Sequence, residues 1–227
     1  MVRRPGLTVV FRRMEPYAAL TAFQRGELDE VPVPQGEVRA MEAHDALGPA
    51  LRARALMGLD VVLLPATFPP DLLRAYRLTV PRAEYQGLIN ERVAAPAYGL
   101  RPGVEAIRPA DARRARASIR GLPRIPLRLT VPRDPELVEA AELVWAEWRQ
   151  LGLPVRFVPR GGARFRRVIA RSPEAIARAL GLRPDEPADH VVPLAWVAEA
   201  RLVSPRVRGW HMDELGIVDY SRVTVPR

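Results

Sequence analysis

The residues that could do chemistry are few and badly placed for it. There is no Cys, and His occurs three times, at His44, His190 and His211. Thiol nucleophiles, disulfides and zinc-cysteine clusters are excluded, and a histidine metal site would need all three imidazoles to converge. No Gly-x-Ser-x-Gly elbow is present, and none of the three His stands in a catalytic context. The acidic pairs Asp185-Glu186 and Asp213-Glu214 lie in polar loops, with nothing around them to bury a carboxyl and raise its pKa for general-acid work. Gly161-Gly162, with Arg160, Arg164, Arg166 and Arg167 around it, has the composition of an anion-cradling nest, but the GxxxxGK[ST] and GxGxxG spacings are missing, so an ordinary turn accounts for it equally well. Trp145 and Trp148 could stack on a base or sugar, though their helical spacing suits core packing; Trp196 and Trp210 are free to face a cleft. This inventory points to binding and away from catalysis, with no metal and no cofactor.

The chain that must position these groups has 227 residues, 48% of them hydrophobic, enough for a substantial core in one domain or two small lobes. Its formal charge is +9, and every one of the 35 basic residues is Arg. Arginine spread through the whole chain, beside abundant Ala, Pro, Leu and Val and a single Asn at Asn90, reads as compositional bias rather than a basic face, so no nucleic-acid partner is expected. No apolar run is long enough to cross a bilayer; Val61 to Leu64 is closed by Pro65. Arg3-Arg4 followed by Leu7 to Phe11 is too short for a signal peptide, which implies a cytoplasmic protein if Met1 is the native start.

Along the chain, Leu7 to Phe11 reads as a short buried strand and Tyr17 to Arg25 as a helix stopped by Gly26. The prolines of Val31-Pro32-Val33-Pro34 imply an edge strand or connector. A second helix is expected over Val38 to Ala46, a buried strand at Val61 to Leu64, and two short helices between Pro70 and Asn90 broken at Pro81. Pro96 to Pro102 is a loop.

The strongest unit runs from Ile125 to Val158. Ile125, Leu127, Leu129 and Val131 alternate as a half-buried strand, and Asp134-Pro135 is a helix start. Leu137, Ala141, Val144, Trp145, Trp148 and Leu151 share one helix face, Gly152 stops the helix, and Val155 and Phe157 open a strand expected to run parallel to the first. A helix from Pro173 to Leu180, capped by Ser172 and stopped by Gly181, precedes a buried strand at Val191 to Val197. The tail from Gly209 is expected to be irregular, with an extended piece at Val223 to Val225.

Several stretches together resemble family 5 of the bacterial extracellular solute-binding proteins, the peptide, oligopeptide and nickel binders of ABC importers. Tyr17 to Asp29 is similar to that family's helix ending in Gly-Glu-(Leu/Ile/Val)-Asp. Leu73-Arg74-Ala75 with Pro81-Arg82-Ala83-Glu84-Tyr85 resembles its Arg-x-Ala and Asp-Arg segment, and Ala95 to Pro102 its Pro-Ala-x-Gly-x-x-Pro loop. Trp148 to Val155, Val192-Pro193-Leu194 and Leu202 to Trp210 follow in the family's order.

The departures are Pro81 in place of the family's Asp, Ala115-Arg116 in place of a Leu-Leu pair, and the lack, between Val158 and Val191, of the segment whose aspartate holds a peptide's amino terminus. Members are about twice this length, and what is absent resembles the N-terminal lobe. The resemblance implies an α/β, periplasmic-binding-protein-like (type II) lobe, a mixed sheet flanked by helices. Residues 1–190 would form the lobe, and residues 191–227 a strand and tail returning toward the other lobe.

The implied role is a non-catalytic substrate-binding component, or a truncated part of one, for peptides or similar small solutes. It would work with a membrane ABC permease outside the cytoplasm, and a homodimer could cover its open face. Position in such lobes singles out Asp29, Tyr98 and Trp196 as ligand-facing. The alternative is an arginine-rich intracellular domain that binds nucleic acid, an anionic surface or another protein.

Overall fold

The structure is a computed structural model that describes residues 2–4, 7–88, 95–103, 107–130, 132, 135–183 and 188–226. The chain forms two compact units, Met1–Leu56 with Ala198–Arg227, and Met57–Val197.

In the first unit, β1 (Val2–Arg4) pairs antiparallel with β2 (Leu7–Val9) as a ribbon of its own. The expected buried strand at Leu7 to Phe11 is corrected here: the ribbon belongs to no larger sheet, β2 is half-exposed, and Val10 and Phe11 stand about 60% open to solvent. Helix α1 (Pro16–Gln24) starts on a proline that gives up an N–H no helical turn would use, and it buries Ala19, Leu20, Ala22 and Phe23. Gly26, at φ +73°, turns the chain out of the helix. It delivers β3 (Glu30–Pro32), the expected edge strand, which pairs antiparallel with residues 201–203 of the long strand Val191–Val203. Helix α2 (Val38–Ala43) ends three residues earlier than its composition suggests, because the His44 ring turns back to accept the Ala46 N–H. Leu20, Phe23, Val31, Val33, Val38, Leu47 and Leu202 form this unit's core. Its tail is irregular, as expected, and is held by single bridges at Arg208 to Thr224 and Met212 to Val218, with Met212 and Val223 buried.

The second unit is an α/β sandwich. Strand β4 (Leu51–Leu63) enters it at Met57, followed by α3 (Pro70–Leu78), α4 (Arg82–Leu88), β5 (Ala95–Pro96) and α5 (Pro109–Ser118). Then come β6 (Leu127–Thr130), α6 (Pro135–Gln150), β7 (Val155–Val158), β8 (Ala163–Ile169), α7 (Pro173–Ala179) and β9 (Val191–Val203). The strand order is β9-β4-β8-β6-β7, with β5 on β9. β6 runs parallel to both β7 and β8, while β4 with β8 and β5 with β9 are antiparallel, so the sheet is mixed.

The expected β6-α6-β7 unit is present with its strands parallel; its Asp134 cap lies outside the described residues. The break at Pro81 and the Ser172 cap are also present, the latter accepting the Ala175 N–H at 3.2 Å. β4 and β9 run 13 residues each, far beyond the short strands expected, and β8 stands where only a glycine turn was foreseen.

Alternation along β4 separates two packed faces. On one, Leu59 and Val61 meet Val168, Ile176 of α7 and Leu180 just past its end. On the other, Tyr76 of α3 packs edge-on against Trp148 of α6 at 4.7 Å between ring centroids, and both side chains are fully buried. Trp148 is therefore core, and Trp145 stacks on Phe157 at 5.5 Å beneath the Arg149 guanidinium.

Candidate functional site

The sequence-predicted residues fall in both units. Asp29 belongs to the first unit, and Tyr98 and Trp196 to the second, so no single unit holds all three.

Asp29 lies where the α1 exit meets β3. Its carbonyl accepts the Ser204 N–H at 2.9 Å, extending the β3 ladder by one bond, and its carboxylate takes the Arg206 Nε at 2.6 Å. Glu30, the next residue, has one oxygen on Arg201 at 2.6 Å and the other on the Tyr220 hydroxyl at 3.0 Å. Arg201 reaches on to Glu199, its Nε donating at 2.8 Å. Burial and then the Glu30 carboxylate push the Tyr220 phenol up to about 12, since both disfavour a second negative charge.

Asp29, Glu30, Arg201 and Tyr220 line a cavity of about 470 Å³ in the first unit, a volume suited to a small solute. Phe11, Met14, Leu28 and Trp210 supply apolar wall, and the Phe11 ring meets Tyr220 edge-on at 5.7 Å. The Trp210 indole N–H is buried there with no partner among the described residues. The arrangement offers an apolar chamber with an ion-paired floor and one spare donor. It offers no nucleophile with a base beside it, and no described group of three His, Asp or Glu could hold a metal. Of this cavity, sequence reasoning found Asp29 and raised Trp210. Phe11, Glu30, Arg201 and Tyr220 come from opposite ends of the chain, and no local signal joins them.

In the second unit, Tyr98 is half-buried, with its ring against the Arg82 guanidinium at 5.3 Å. Arg82 is buried and stitches three segments together: its Nε donates to the carbonyls of Ala97 at 2.8 Å and Pro193 at 3.0 Å, and its Nη1 to that of Arg77 at 3.0 Å. Burial is the main reason its pKa is pulled down to about 10. Trp196 pairs with Ala95 across β9 and β5 and lies half-buried against the cluster of Leu59, Val61 and Ile176. The Gly161-Gly162 pair is the β7-β8 turn. Arg167, one of the arginines read around it, points inward to Asp60, so a nest using all four arginines does not form.

A mixed sheet flanked by helices is the architecture of a periplasmic-binding-protein-like lobe, and the structural likenesses bear this out. In sequence the chain matches no family model and no curated protein. In structure it is similar to the pheromone receptor PrgZ, solved with its mode of peptide binding, at a TM-score of 0.71 and 13% identity over 94% of this chain and 56% of that one. It is also similar to peptide-bound OppA of Listeria monocytogenes (TM-score 0.66, 9% identity, 93% and 56% covered). A third is NikA of Brucella suis in complex with Fe(III)-EDTA (TM-score 0.67, 15% identity, 93% and 60% covered). These are family 5 solute-binding proteins, and the chain has their fold. It spans 56–60% of their length. Among the described residues, no helix is long and apolar enough to cross a membrane.

Proposed function

We propose that the chain is the substrate-binding component of an ABC importer for peptides or similar small solutes, or part of one, and that it catalyses no reaction. The observation that carries this reading is the fold, shared over 93–94% of the chain with proteins solved holding a peptide or a metal chelate. The apolar, ion-paired cavity beside Asp29 supports a binding role. Tyr98 and Trp196 are the residues of the second unit proposed to face ligand, residues 191–227 the segment proposed to return toward a further lobe, and a membrane permease outside the cytoplasm the proposed partner.

Thermal melting against short peptides, amino acids, sugars and nickel tests the reading. A ligand at about 100 times its Kd stabilises the native state by roughly 2.7 kcal/mol, worth about 5–10 °C in a chain of this size. A selective shift of that order with one solute class identifies the ligand. No shift with any solute, together with a salt-sensitive shift on duplex DNA, overturns the proposal.

A further inference from the structure

In the second unit, β7, β6 and β8 lie side by side, and their inward positions, Val155, Leu127, Leu129, Ala163 and Phe165, are buried. The outward positions carry Arg156 on β7, Arg128 on β6, and Arg164 and Arg166 on β8, all exposed. The register fixes their spacing. Arg128 and Arg156 are direct partners across the parallel pair, and Arg164 stands opposite Thr130, two residues along from Arg128. Strands about 4.8 Å apart and outward residues about 6.6 Å apart along each strand set four guanidinium groups on a two-dimensional lattice. Among the described residues none of the four has an ion pair or hydrogen-bond partner, whereas Arg101, Arg108, Arg116 and Arg167 of the same unit each hold a carboxylate.

We propose that this face of β6, β7 and β8 is a docking surface for an anionic membrane, with lipid phosphates taken by Arg128, Arg156, Arg164 and Arg166. Arginine's planar fork matches phosphate oxygens two at a time. The charges spread over three strands rather than along one line, which suits a plane of headgroups better than a single phosphate backbone. The other outward residues, Thr130 and Val158 and, farther along β8, Val168, give no aromatic ring to stack on a base; Val168 is covered by α7, where the open arginine face ends. Gly162 holds the lattice together: at φ +86° it lets the β7-β8 turn pass directly against the Arg128 carbonyl, where a Cβ would collide. This inference is independent of the solute-binding reading, which concerns other residues.

The test is co-sedimentation of the full chain with phosphatidylcholine vesicles, with and without phosphatidylglycerol, at low and high salt. Each arginine near an anionic surface contributes roughly fivefold in affinity, so replacing all four by Gln should weaken binding by several hundredfold. A matched variant with Arg74, Arg113, Arg114 and Arg120 changed to Gln removes the same charge from exposed positions on the helices α3 and α5 and the turn after α5, and should retain most of the binding. Melting temperature reports folding of both. Should the quadruple variant unfold, the pairs Arg128→Gln/Arg156→Gln and Arg164→Gln/Arg166→Gln should each lose about 25-fold. The proposal is overturned if anionic vesicles are not bound, if the matched variant loses as much as the sheet-face variant, or if duplex DNA binds through the four arginines while vesicles do not.

Discussion

Asp60 sits in the middle of β4 with no exposure, between Leu59 and Val61, which are equally buried. A lone carboxylate in that position would cost several kcal/mol to desolvate, and what holds it is the sheet register. Arg167 is its direct partner across β4 and β8, and its guanidinium grips both carboxylate oxygens, Nε to Oδ1 at 2.8 Å and Nη2 to Oδ2 at 3.0 Å. The Tyr85 hydroxyl of α4 donates a third bond at 2.7 Å. Asp60→Asn keeps the volume but turns an amide N–H₂ toward the guanidinium and leaves the arginine, with only 19% of its side chain exposed, uncompensated. Breaking such a pair costs about 3–5 kcal/mol. In a chain of this size that lowers the melting temperature by about 6–20 °C. Thermal unfolding followed by tryptophan fluorescence in a Trp210→Phe background, which leaves Trp145, Trp148 and Trp196 of the second unit, reads the unit that contains the pair. Asp60→Leu with Arg167→Leu removes both charges together and should cost less than either single change, because no charge is left buried alone. A cost below about 1 kcal/mol for Asp60→Asn, or a double variant that costs the sum of its singles, would refute the argument.

Three further outcomes follow from the same geometry. Gly162→Ala should cost at least about 2 kcal/mol in chemical denaturation, since left-handed strain adds to a collision with the Arg128 backbone; Gly161→Ala, whose Cβ meets nothing within 4 Å, should cost about half that. Equal costs would show that the collision is relieved without consequence. Tyr220, with its phenol raised from 10 to about 12, holds its proton more tightly when folded, so its contribution is fully present below pH 10 and lost as pH rises toward 12. Tyr220→Phe should remove that part of the alkaline decline in stability, and an unchanged pH profile counts against the coupling to Glu30. Asp29→Ala breaks an ion pair that is about half-exposed on both sides, and should change stability by less than about 1 kcal/mol while weakening any solute held at the cavity, as calorimetric titration would show.

What the sequence made legible was whatever is written locally. Asp134-Pro135 with the Leu137 to Trp148 stripe and Gly152 marks a helix within its own residues, and the flanking alternation marks its strands. Pro32 marks an edge for the same reason: it lacks the N–H that a central strand would need. The missed strand β8 shows where local reading fails. Its inward row is Ala163, Phe165 and Arg167, and an arginine in the third place hides the alternation. That arginine faces inward because Asp60 is there to receive it, and Asp60 is 107 residues away in the chain. The same long separation hid the cavity: Glu30 meets Tyr220 across 190 residues, and Phe11 reaches Tyr220 from the opposite end of the chain.

Arginine content shows how far composition can be trusted. Thirty-five arginines and no lysine imply one cause acting on the whole chain, and that inference says nothing of any single position. The fold then assigns these identical side chains different physics. At 167 the inward register makes the guanidinium the counter-charge of a buried carboxylate. At 82 a buried place at the start of α4 makes it a clamp on three carbonyls, with a lowered pKa. At 164 and 166, three and one residues from 167, the opposite face of the strand leaves it in solvent beside Arg128 and Arg156. A shift of β8 by one residue would exchange these roles, burying Arg166 and exposing the partner of Asp60. The Asp60 pair therefore does more than stabilise the unit: it selects the register in which the cationic row faces outward, and a variant that loses the pair should blur both at once.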